Sequence, residues 1–106
     1  MTEEVRNIEM TIAQAEAKIS KMEKWEELLK NPLFDELITK DYLGDDAVRL
    51  TLQLKPGKED SNEIVNTMLV AKALLSRFVG RAIDEGVQSI SALEEHKDLL
   101  NEVNEG

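Results

Sequence analysis

Apolar side chains recur along the opening third of the chain with the spacing of a helix seam. Val5, Ile8, Ile12, Ala15, Ile19, Met22 and Leu29 are separated by 3-4-3-4-3-7 residues, and Glu26 holds the position that the longest step skips. Steps averaging about 3.5 residues keep one stripe of an α-helix turned toward a partner helix, as in a coiled coil. Charged residues (Glu9, Glu16, Lys18, Lys21, Glu23, Lys24, Glu27, Lys30) cover much of the remaining surface. The pattern predicts a helix over residues 3–30. Thr2 stands as its N-cap, Glu3 and Glu4 lie at the positive end of the helix dipole, and Lys30 lies at the negative end. Asn31-Pro32 ends it, because the ring disfavours helical geometry at the preceding residue.

Pro32 suits the first turn of a second helix over 33–43, in which Phe34, Ile38 and Tyr42 recur at every fourth position beside Leu37 and Leu43. Gly44 reads as its C-cap. Residues 45–54 carry two patterns at once. Val48, Leu50, Leu52 and Leu54 alternate with Arg49, Thr51 and Gln53, as in a half-buried strand, yet Leu43, Ala47, Leu50 and Leu54 keep helical spacing. With no second strand candidate to complete a ladder, the expectation is a helix over 45–54, an intermolecular strand being the alternative.

Pro56-Gly57 predicts a type II turn, and Ser61 or Asn62 caps a last helix over 62–103. Its expected buried stripe is Ile64, Met68, Ala71, Leu75, Val79 and Ala82, widened by Leu74 and Phe78 and continued by Ile90, Leu93, Leu100 and Val103. Gly80 and Gly86 each weaken a helix by about 1 kcal/mol relative to alanine. Ser91 and Glu94 have capping-box spacing, which marks residues 86–90 as a candidate break. Together these elements predict an all-α fold in a single domain spanning 1–106. It is an antiparallel helical hairpin or small bundle, two long helices with two short connecting helices.

Charge narrows the function. The 106 residues carry 22 acids against 13 lysines and arginines, a net charge of −9. That argues against direct nucleic-acid binding, which needs cations to displace counterions, and against an anionic membrane surface. There is no cysteine, hence no disulfide framework and no thiolate metal site. No apolar run approaches the roughly 20 residues of a membrane span, and the opening MTEEVRNIEM is unlike a secretory signal. The expected location is the cytoplasm, or a larger particle assembled there. Residues 84–106 hold seven acids and one lysine. They read as a solvated, fraying helix end or as an acidic arm for a basic surface.

Nothing in the sequence has the spacing of a catalytic or cofactor site. His96 is the only histidine and has only Glu94, Glu95 and Asp98 as near neighbours, so it reads as a surface residue. Asp41, Asp45 and Asp46 around Gly44 lack the alternation and the terminal glutamate of a calcium loop, and read as helix caps. Phosphate loops, dinucleotide fingerprints, nucleophile elbows and zinc patterns are absent. The expectation is therefore no enzyme, no cofactor, no metal and no small-molecule substrate.

Candidate protein-contact residues are Trp25 and Glu26, where the first seam is interrupted; the tryptophan either covers the bundle edge or anchors an interface. Arg77 and Arg81, four residues apart, are placed to pair with acids of the first helix. Arg49, inside an apolar segment, is expected in a buried or interfacial ion pair.

The middle of the chain combines Phe34-x-x-x-Ile38-x-x-x-Tyr42-Leu43, then Asp46-Ala47-x-Arg49-Leu50, a Leu54-Lys55-Pro56 turn and a long final helix. This texture resembles small helical proteins of tailed bacteriophages, and the opening EVRNIEMTIAQAEAKI at 4–19 is similar to them as well. The resemblance implies a virion or morphogenesis component that acts by helix–helix contact, with a protein partner or self-association, and it assigns no residue a role. The net charge supports an alternative from another class, a small acidic inhibitor that occupies a basic cleft as DNA would. That alternative requires carboxylates along one continuous helix face.

Overall fold

Thr2 starts the first helix as its sequence predicts, its Oγ1 accepting from the Val5 amide at 3.2 Å. The computed structural model describes residues 2–105, and every element among them is helical. In chain order these are α1 (Glu3–Lys30), α2 (Pro32–Phe34), a π-helical segment (Asp35–Asp45), α3 (Asp46–Thr51) and α4 (Glu59–Glu105). Asn31 separates α1 from α2 and caps the latter, its Oδ1 accepting from the amides of Leu33 and Phe34 at 2.9 and 3.3 Å.

The expected boundary at Gly44 does not exist. Residues 32–51 run as one continuous helical stretch whose middle is wound with i→i+5 hydrogen bonds, so that the Asp46 amide donates to the Asp41 carbonyl. Such windings usually last a single turn, whereas this one spans eleven residues. A C-cap glycine would adopt positive φ, and Gly57 is the residue that does so, at 78°. The 45–54 region is helical up to Thr51, not a strand, and ends in tightened turns in which Gln53 and Leu54 donate to Leu50 and Thr51 carbonyls.

Pro56-Gly57 forms the expected turn, closed by the Lys58 amide on the Lys55 carbonyl at 3.3 Å. Asn62 does not cap α4. Its side chain reaches back to Lys55, accepting from that amide at 3.1 Å and donating to that carbonyl at 2.7 Å. With the turn clamped in this way, α4 begins at Glu59, three residues earlier than expected. It then runs unbroken past Gly86 and Ser91, and Ser89 Oγ donates to the Glu85 carbonyl at 2.6 Å.

The described chain forms two units, residues 2–26 with 81–105 and residues 27–80; α1 and α4 contribute to both. In the first unit the α1 seam is the expected one: Val5, Ala15 and Met22 are buried and Ile8, Ile12 and Ile19 half-buried. The facing stripe of α4 is Ala82, Gly86, Ser89, Leu93, His96, Leu100 and Val103, stepping 4-3-4-3-4-3. Gly86 lies against Met22. From that contact only an antiparallel run keeps both helices inside the unit, toward Val5 on one and Val103 on the other. His96 is thus half-buried in the seam, with Nδ1 donating to the Ala92 carbonyl at 2.7 Å, rather than standing on the surface.

In the second unit Leu50, Val65 and Lys72 are buried. The α4 stripe here is Val65, Leu69, Lys72, Leu75 and Val79: the expected Leu75 and Val79 are half-buried, as is Ala82 beyond them, but Val65, Leu69 and Lys72 turn inward in place of the expected Ile64, Met68 and Ala71. Two apolar phases lie side by side on this helix. Lys72 interrupts the apolar run of the buried one, so spacing alone favours its neighbour over residues 64–71.

Candidate functional site

Lys72 is the residue that sequence reasoning missed. It is only 4% exposed, and its ammonium lies 2.7 Å from Asp46 Oδ2 and 3.4 Å from the centre of the Tyr42 ring. The end of the π-helical segment supplies Tyr42, α3 supplies Asp46, and α4 supplies the lysine. Arg49, one turn beyond Asp46, donates from Nε at 2.9 Å and from Nη2 at 2.6 Å to Asp46 Oδ1. The hydrogen bond from Lys72, and then that from Arg49, hold the Asp46 carboxyl below the usual carboxylate range. The available signal was the seven-residue repeat Val65, Lys72, Val79, which reads as a seam once a partner for the cation is supplied.

Both cations of this cluster converge on one carboxylate, and the lysine also rests on an aromatic face. The arrangement locks α3 to α4. Beside it lies a pocket of about 220 Å³ bordered by Tyr42, Arg49, Leu50 and Met68.

Two substitutions separate packing from pairing here. Lys72→Met keeps the volume and removes the buried charge, so the melting temperature should stay level or rise. Asp46→Asn leaves the enclosed ammonium without its counter-charge and should lower it. The sign of the pH dependence follows from the lowered carboxyl. Its stabilising contribution is complete above the ordinary carboxylate range, about pH 4, and is lost as pH falls through the lower folded value. The gap between wild type and Asp46→Asn should accordingly close in thermal melts taken at progressively lower pH.

The other candidate residues are not gathered into one place. Trp25 and Glu26 are half-buried on α1 in the first unit. Arg49 pairs with Asp46 of its own chain, and the pair is not buried, the arginine side chain being 59% exposed. Arg77 and Arg81 are exposed on α4, and neither enters the ion pairs found among the described residues, which join Lys40 to Asp35 and both Arg49 and Lys72 to Asp46. The pairing expected with acids of α1 fails because α4 turns a different face to its neighbour.

The N-terminal part of the expected stripe, with the residues expected to widen it, carries much exposed surface in the second unit. Ile64, Met68, Leu74 and Phe78 are each half exposed or more, at 63, 50, 57 and 56%, with exposed Ala71 at their centre. Contiguous apolar surface of this kind marks contact sites in soluble proteins. Among the described residues no group of three or more acids and histidines is placed to hold a metal ion, and no helix is long and apolar enough to cross a membrane. The chain matches no protein-family model, and no significant match is found among curated proteins or solved structures.

Proposed function

We propose that this chain is a non-enzymatic interaction protein that works by helix–helix contact, as a structural or assembly component. The observation that carries the reading is the exposed apolar face of α4 from Ile64 to Phe78. It lies on the same helix as a buried cation that is already neutralised, so the unit offers a surface for docking more readily than a reactive group for chemistry. Tailed-phage morphogenesis as the setting rests on the resemblance in the middle of the chain, and the interaction reading does not depend on it. A photoreactive side chain in place of Met68 or Leu74, in cells that produce the chain naturally, should yield a covalent protein adduct; the same probe at Asn66 should not. Equal, background-level adducts at all three positions would overturn the reading.

A second reading is supported by the C-terminal part of α4. Because the helix is unbroken, Glu95, Asp98, Glu102 and Glu105, spaced 3-4-3, share one exposed face. That is the continuous acidic face an inhibitor of a basic surface would need. Adducts formed from position 98 rather than 68, and lost at high salt, would select it.

A further inference from the structure

We propose that the pocket enclosed by Tyr42, α3 and α4 is a binding site for a small organic anion, a carboxylate carrying a single ring or a short branched alkyl group. The site lies wholly within the second unit and does not rest on the interaction reading. Shape sets the size of the ligand. Buried Leu50 and Lys72 form the base of the pocket, and Tyr42, Met68 and Ala71, all still open to solvent, form its rim. The volume of about 220 Å³ is the space of about seven liquid waters, below the roughly 300–1,000 Å³ of sites for drug-sized molecules. One ring or one branched alkyl group fits; a fused or extended ligand does not.

Charge sets the sign of the ligand. Lys72 and Arg49 share the single carboxylate of Asp46, so the three groups together are positive, and the neighbouring Asp41 and Asp45 do not line the pocket. Arg49 reaches Asp46 through Nε and Nη2; its Nη1 takes no hydrogen-bond partner among the described residues. A guanidinium with donors to spare beside an apolar recess is matched by a carboxylate with an apolar body. A cationic ligand would meet two positive groups and a carboxylate already engaged at both oxygens.

The winding of the preceding segment points to the same place. Phe34, Ile38, Leu43, Ala47 and Leu50 are the inward apolar positions from α2 through α3, and they step 4-5-4-3. With α winding throughout, Tyr42 would follow Ile38 inward. The π-helical segment takes up one extra residue, which turns Leu43 inward and leaves the Tyr42 ring against Lys72 at the edge of the pocket. Such windings are rare and fall frequently at functional sites.

Benzoate titrated into the full chain at neutral pH should shift the amide resonances around Tyr42, Arg49 and Ala71 saturably, with a Kd of about 1 mM or below. Benzamide, which matches benzoate in shape without its charge, should bind about tenfold more weakly. Ala71→Leu fills the pocket from an exposed helical position, so circular dichroism should be unchanged while binding is lost. Arg49→Gln should weaken benzoate about tenfold and leave benzamide unaffected. Arg77→Gln, which removes an exposed cation elsewhere on α4, should change neither. Absence of saturable binding, equal affinity for the acid and the amide, or binding that survives Ala71→Leu would overturn the proposal. So would equal losses from Arg49→Gln and Arg77→Gln, the mark of general charge attraction. Protein adducts at Leu74 are a separate readout, so either reading can fail without the other.

Discussion

Replacing Gly86 with alanine is expected to lower stability by about 1–2 kcal/mol, although alanine is the better helix former. A Cβ at this position would overlap Met22 Cβ and come within 2.7 Å of its Sδ and 2.8 Å of its Cγ. The thioether can swing aside, but Met22 Cβ is tied to its own backbone, so α1 and α4 must separate along the seam. Gly80 is the internal control. Nothing lies within 4 Å of a Cβ added there, and Gly80→Ala should stabilise by about 0.5–1 kcal/mol through helix propensity alone. Thermal melts of the two variants should therefore move in opposite directions, by about 4–8 °C per kcal/mol. A double-mutant cycle locates the cause. Met22→Ala keeps the opposing Cβ and should leave the Gly86→Ala penalty largely intact, whereas Met22→Gly should remove most of it. If Gly86→Ala raised the melting temperature as Gly80→Ala does, the close approach would be refuted.

Leu50→Ala should have the largest effect of any single truncation in the second unit, about 2–5 kcal/mol. Leu50 is 2% exposed and is the most completely enclosed large side chain among the described residues. Few apolar side chains are buried to a comparable degree, so little neighbouring core is available to collapse into the cavity. Against a typical domain stability of about 5–15 kcal/mol, such a loss is a large fraction of the whole. Leu52→Ala, two residues on and 76% exposed, should change stability by no more than about 0.5 kcal/mol. Denaturant titrations of both variants measure the contrast. A Leu50→Ala penalty below that of Leu52→Ala would mean that α3 does not pack as described.

The contrast between positions 50 and 52 also shows where the sequence spoke and where it was silent. Val48, Leu50, Leu52 and Leu54 are equally apolar, yet helical winding turns Leu50 inward and leaves Val48 and Leu52 in solvent. Alternation alone suggested a strand; the missing strand partner argued correctly for helix. Of the candidate contact residues, Arg49 was placed in an ion pair as expected, but at the surface. The exposed Ile64, Met68 and Ala71 read as core in the sequence because their spacing runs on without a break into the half-buried Leu75 and Val79.

By itself the sequence determined the helical class, the α1 seam, the Thr2 cap and the turn at Pro56-Gly57. Each depends on contacts between residues close in the chain or on a period repeated many times, and such signals survive without a partner in view. Tertiary structure decided which of two adjacent phases of α4 is buried, that Gly86 is a point of close approach rather than a helix break, and that residues 35–45 are wound as a π-helix. Two neighbouring apolar stripes on one helix differ little in intrinsic preference. Asp46 and Tyr42, far from Lys72 in sequence, neutralise a cation that would otherwise forbid burial, and the choice of phase follows from that contact.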